Sequence, residues 1–97
     1  MFGLISKLKS ATGKRDALIA ILIEGTTGMP GCRSYVVAKD GADEDALWIT
    51  EVWDSRDAHK ASLAWPAVQQ AIAKGRPMIA GFAERVETEP VGGHVIR

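Results

Sequence analysis

The 97-residue sequence holds one cysteine, Cys32, and two histidines, His59 and His94. A lone cysteine closes no internal disulfide. With so few nitrogen and sulfur ligands, a metal centre would have to recruit carboxylates from several segments, so none is expected. Charge of either sign is not in excess: twelve Lys+Arg balance twelve Asp+Glu, and the pI is near 6.7. Nucleic-acid binding draws on basic side chains that displace phosphate counterions, so no nucleic-acid partner is expected. The longest apolar run, residues 17–23, has seven residues, against the ~20 that span a bilayer. Lys7 and Lys9 follow the N-terminal apolar residues, the reverse of the order in a signal peptide. These absences predict a cytoplasmic chain that does not enter membranes. Dinucleotide and phosphate-loop glycine motifs, a His-Glu-x-x-His pair and a Gly-x-Ser-x-Gly elbow are all missing. The glycine-rich stretch 25–31 follows a predicted helix rather than opening one, so it is no phosphate cradle.

What remains is the composition of an ordinary folded domain, 46% hydrophobic and 25% charged. The length predicts one domain over residues 1–97. Small domains bury a modest share of their surface, and three Trp, two Phe and one Tyr are much apolar area for so short a chain. A homodimer is therefore expected.

Residues 2–9 alternate, with Phe2, Leu4 and Leu8 on one face and Ile5, Lys7 and Lys9 on the other, which predicts a strand. Thr12 is the expected cap of a helix over 15–24, although β-branched residues leave a strand reading of 18–23 open. Breakers fill 25–31, and 32–39 reads as a second strand with Tyr35 and Val37 on one face. An acidic turn over 40–45 connects it to a third strand over 46–54. Asp54 or Ser55 caps a helix over 55–63, Trp65-Pro66 interrupts it, and a further helix over 67–74 ends at Gly75. A last strand covers 82–88.

The order β-α-β-β-α-β predicts an α+β, ferredoxin-like fold, an antiparallel sheet with helices on one face. On the third strand Leu47, Ile49, Glu51 and Trp53 share one face, and Trp48, Thr50 and Val52 the other. Bulk on both faces again suggests that a second copy packs against the open side.

Together with this element order, the segment 50–59 (TEVWDSRDAH) resembles the antibiotic biosynthesis monooxygenase family, which includes quinol monooxygenases and has haem-degrading relatives. The resemblance extends over nearly the whole chain. It includes Gly13-Lys14-Arg15 before the first helix, Pro30-Gly31-Cys32 before the second strand, the Tyr35 strand, Glu51-x-Trp53 and the Phe82 strand. It implies a dimeric α/β barrel with a ligand cavity in each subunit between sheet and helices. It also implies a cofactor-independent monooxygenase that acts on a small aromatic, quinol- or polyketide-like substrate with O2. A non-catalytic ligand-binding dimer and a haem-binding or haem-degrading protein on the same scaffold are the alternatives.

Five residues are singled out as the site. His59 and Glu51 are the candidate catalytic pair; Trp53, Tyr35 and Trp65 are the candidate substrate-binding residues. His59 suits a general base near neutral pH, but falls a few residues earlier than the helix-two histidine of many relatives, so a solvated helix position is the stronger expectation. Glu51 orients a substrate hydroxyl or, the stronger expectation, pairs with Arg85 or Arg33 across the sheet. Trp53 lines the cavity or fills the core. Tyr35 donates to a substrate oxygen or packs at the dimer seam. Trp65 closes a pocket mouth or staples the two helices together. Cys32 reads as a small buried filler. His94 lies in a tail that docks on a partner through Val95 and Ile96 or is frayed.

Overall fold

The alternating patterns become strands and the breakers become turns in the computed structural model, which describes residues 1–94. The choice between a frayed tail and one docked through Val95 and Ile96 falls outside the described residues. The elements run β1 (Phe2–Ser10), α1 (Arg15–Gly25), β2 (Cys32–Lys39), β3 (Ala46–Trp53), α2 (Arg56–Ser62), α3 (Pro66–Gly75), a 3-10 turn (Arg76–Met78) and β4 (Ile79–Thr88). The strands form one antiparallel sheet in the order β2-β3-β1-β4. This is the ferredoxin-like α+β arrangement.

The period-two pattern fixes which face is covered. Phe2, Leu4 and Leu8 of β1 lie opposite Trp53, Glu51 and Leu47 of β3, and the helices pack over that face. Two clusters make the core: Phe2, Leu4, Met29, Trp53 and Val68 at one end, and Leu8, Leu18, Leu47 and Ile49 at the other. The 18–23 segment is helical despite its β-branched residues, because Leu18 is fully buried against the sheet and α1 packs along α3. Gly25 permits that packing, since a Cβ there would stand 2.3 Å from the Cβ of Ala71.

Two expectations are corrected. Thr12 does not cap α1: Lys14 occupies that position without a side-chain bond. The helix start is held instead by Arg15, whose Nη1 donates to the carbonyls of Asp43 (2.9 Å) and Ala46 (3.3 Å) across the acidic turn. Strand β4 begins at Ile79 rather than Phe82, because the 3-10 turn delivers the chain directly to the β1 edge at Ser10. Register shifts beside Leu8 and Lys9 absorb the mismatch. Pro66 stands in the first turn of α3, where its missing N–H costs nothing.

The acidic turn is a built structure. Asp40 Oδ1 accepts from the backbone N–H groups of Ala42 and Asp43, and Oδ2 from Trp48 Nε1. These donors hold its carboxyl well below the usual range. On the uncovered sheet face stand Ile5, Trp48, Thr50, Val52, Val36 and Val86, and both Val36 and Val86 are 53% exposed.

Candidate functional site

Strand β3 places Glu51 and Trp53 two residues apart, hence on the same face, under the helices. Glu51 is 8% and Trp53 1% exposed, and Trp53 Nε1 donates to Glu51 Oε1 at 3.0 Å. A buried carboxylate must be hydrogen-bonded, and the neighbouring indole supplies the donor. Tyr35 on β2 lies directly opposite Glu51 in the β2–β3 register.

Helix α2 brings the histidine. Ser55 adopts an extended backbone and its Oγ accepts from Ala58 N at 3.0 Å, capping a helix of only two turns. The connection between α1 and β2 approaches it closely at Gly31 (φ +75°), where a Cβ would stand 2.7 Å from Ala58 Cβ. His59 consequently points at the sheet. Its ring centroid lies 5.3 Å from that of Phe2 and 5.5 Å from that of Trp53, the latter edge-on. Its Nε2 is 3.8 Å from Glu51 Oε1, close but beyond hydrogen-bond length.

His59, Glu51, Trp53 and Tyr35 line one cavity of about 160 Å3 between sheet and helices, whose remaining wall includes Leu22, Met29 and Val68. Burial lowers the His59 pKa from 6.5, and the nearby cations Arg85 and Arg56 lower it further, so the imidazole is uncharged at neutral pH. Its approach to Glu51 is therefore not an ion pair. Burial raises Glu51 above 4.5, opposed by the Trp53 bond. Burial, then the Glu51 charge, pushes the Tyr35 phenol strongly upward, so it remains a donor throughout the physiological range. No hydrogen bond to the Tyr35 hydroxyl comes from the described residues.

Four of the five predicted site residues thus meet. Trp65 does not join them: it precedes α3 and packs behind, against the Phe2–Trp53 cluster, and is absent from the cavity wall. Two stronger expectations are overturned. His59 is not a solvated helix residue; its side chain is 16% exposed because α2 is short and turned inward. Glu51 does not pair with the sheet arginines. Arg33 bonds Asp54, and Arg85 Nη1 stands 3.7 Å from Glu87, drawn to the exposed carboxylate. Trp53 is both core and cavity wall. Tyr35 lies on the helix-covered face, away from the open side of the sheet. Cys32 is half-buried beside the same cluster, and burial pushes its thiol up.

Sequence reasoning missed Phe2 and Arg56. Arg56 grips Glu87 through two bonds of 2.8 and 3.0 Å and lies 4.6 Å over the Phe2 ring. The β1 alternation put Phe2 on the correct face, but only the pairing with Trp53 places it at the site. Among the described residues no group of three or more His, Cys, Asp and Glu could hold a metal ion, and no helix is long and apolar enough to cross a membrane.

Comparison with known proteins agrees with this architecture. Residues 1–74 match the family model described as antibiotic biosynthesis monooxygenase. A crystal structure from Chloroflexus aurantiacus J-10-fl, provisionally designated an antibiotic biosynthesis monooxygenase, is 64% identical and superposes with a TM-score of 0.96, over 99% of this chain and 98% of that one. One from Deinococcus radiodurans with the same provisional designation is 25% identical, with a TM-score of 0.78 over 96% of this chain and 95% of its own. Rv0793 from Mycobacterium tuberculosis shares the fold at 24% identity and a TM-score of 0.78, over 96% and 97% of the two chains. No curated protein matches this chain. On the family match and the 64% identity, the chain belongs to the antibiotic biosynthesis monooxygenase family.

Proposed function

We propose that this protein is a monooxygenase that oxidises a small aromatic, quinol- or polyketide-like substrate with O2, drawing the electrons from the substrate itself. The observation that carries this reading is the convergence of an uncharged, half-buried imidazole, a buried carboxylate and a phenolic donor on one cavity walled by Trp53. The family membership supports the reaction class.

The chemistry asks little of the protein. An electron-rich phenol or anthrone becomes a reductant once it loses a proton. His59, neutral at pH 7, is placed to take that proton, while Glu51 and Tyr35 orient the ring oxygens. The anion passes one electron to O2, and the radical pair combines to a hydroperoxide. Loss of water then leaves a carbonyl. In sum, a ring methylene and one O2 give a ring carbonyl and one water. One oxygen atom is retained, and the other leaves with the two hydrogens of the methylene. The dry aromatic wall holds the ring and keeps bulk water from the anion.

We further propose that the active form is a homodimer in which two open sheet faces pack together, supported by the half-exposed Val36 and Val86.

Oxygen uptake by metal-stripped protein tests the reading, with reduced naphthoquinols, hydroquinones and anthrones as substrates and a buffer blank for autoxidation. Saturable uptake is expected, with kcat falling on the order of a hundredfold or more in His59→Ala. Undiminished turnover in that variant refutes His59 as the base and moves the role to Glu51. Saturable quenching of tryptophan fluorescence with no uptake across the panel favours a ligand-binding dimer.

A further inference from the structure

The polar cavity is small. At about 160 Å3 it matches the ~150 Å3 that accommodates one benzene ring, and it falls below the ~300–1,000 Å3 typical of whole ligand sites. A second cavity of about 550 Å3 abuts it, between α1, α3 and β4. The side chains of Leu22, Ala71 and Ile72 line both. Apart from Arg76, the second cavity is lined by apolar residues and glycine, so it offers no acid, base or hydroxyl. Its mouth exposes Phe82 (71% exposed) and Ile72 (40% exposed), large apolar groups left in water.

Resting on the reading of the polar cavity above, we propose that the substrate is a single hydroxylated ring carrying an extended apolar arm of several carbons. The ring sits between Trp53 and His59, and the arm runs past Ile72 into the second cavity toward Phe82. Ile72, exposed at the mouth, has the freedom to turn aside where buried Ala71 has none. Two cavities that meet along three side chains admit a narrow arm more readily than a wide fused-ring plane. The chemistry and the volume are thus divided: the carboxylate, imidazole and phenol line the smaller cavity, and the larger one, Arg76 apart, is apolar. Burying the arm covers Phe82 and Ile72 and supplies affinity that a lone phenol lacks.

A homologous series of 4-alkylphenols, methyl to hexyl, provides the test, with dissociation constants from titration calorimetry on the full chain at fixed protein concentration. The affinity is expected to rise about two- to fourfold per methylene in the parent protein. In Phe82→Ala that dependence is expected to flatten, while circular dichroism shows an unchanged fold, since Phe82 is largely exposed. Less than a twofold gain over the whole series overturns the proposal. So does an equal gain in Phe82→Ala. Glu51→Gln separates the two readings. If it weakens 4-methylphenol while chain length has no effect, the arm is refuted and the polar site stands. If chain length matters but Glu51→Gln changes nothing, the apolar cavity takes its arm and the placement of the ring is what fails. Conversion of a parent dimer to monomer by Phe82→Ala in sedimentation would assign this groove to a second copy and overturn the proposal.

Discussion

Replacing Trp53 by Phe separates the two duties that the structure gives this residue. The indole is 1% exposed in a cluster with Phe2, Leu4, Met29 and Val68. Trp53→Phe removes roughly 40 Å3 of side chain, which at about 24 cal/mol per Å3 of residual void costs about 1 kcal/mol. It also removes the N–H that satisfies Glu51, leaving a buried carboxylate without that donor, at a further cost of about 1–3 kcal/mol. The total of about 2–4 kcal/mol corresponds to a fall in Tm on the order of 10–25 °C for a domain of this size. Scanning calorimetry at fixed protein concentration measures it, and a double-mutant cycle apportions it. In a Glu51→Leu background there is no acceptor to orphan, so Trp53→Phe should cost only the void, about 1 kcal/mol. Equal costs in the two backgrounds, within about 0.5 kcal/mol, would refute the indole–carboxylate bond as a stabilising element. A Tm change below about 5 °C in the single variant would show that the site collapses around the smaller ring.

Three further outcomes are expected. Ser55→Ala removes the only side-chain cap of α2 and should cost about 1 kcal/mol, some 4–8 °C in Tm, with kcat for oxygen uptake falling more than KM rises because His59 loses its platform. The buried pair should give stability a two-sided pH dependence, measurable by calorimetry from pH 4 to 8. His59 titrates below its ordinary 6.5 in the folded state, so the stability tied to its neutral form is full above 6.5 and is lost as pH falls through the folded value; His59→Phe should abolish that loss. Glu51 titrates above its ordinary 4.5, so its contribution is full below 4.5 and is lost as pH rises through the folded value; Glu51→Gln should therefore gain on the parent chain as pH rises. On the open sheet face, Val36→Lys should turn a sedimenting dimer into a monomer, and a parent chain that sediments as a monomer would refute that interface.

The sequence by itself determined the element order and the faces. Period two in residues 2–9 and 46–53 and the breakers between elements depend on neighbours a few residues apart, so they are readable without the fold. They sufficed for the ferredoxin-like arrangement, for placing Glu51 and Trp53 on one face, and for a helix cap at Asp54 or Ser55. Tertiary structure decided what those faces meet. Whether His59 is wet or dry depends on the inward turn of a two-turn helix, fixed by Gly31 packing on Ala58. Whether Glu51 bonds an arginine or an indole depends on rival carboxylates, Asp54 and Glu87, that capture Arg33 and Arg85 first. Phe2 reaches the site through strand register, and Trp65, the residue before α3, packs against the Phe2–Trp53 cluster instead of the cavity. Burial and long-range pairing set these outcomes, and neither is a property of any short stretch of chain.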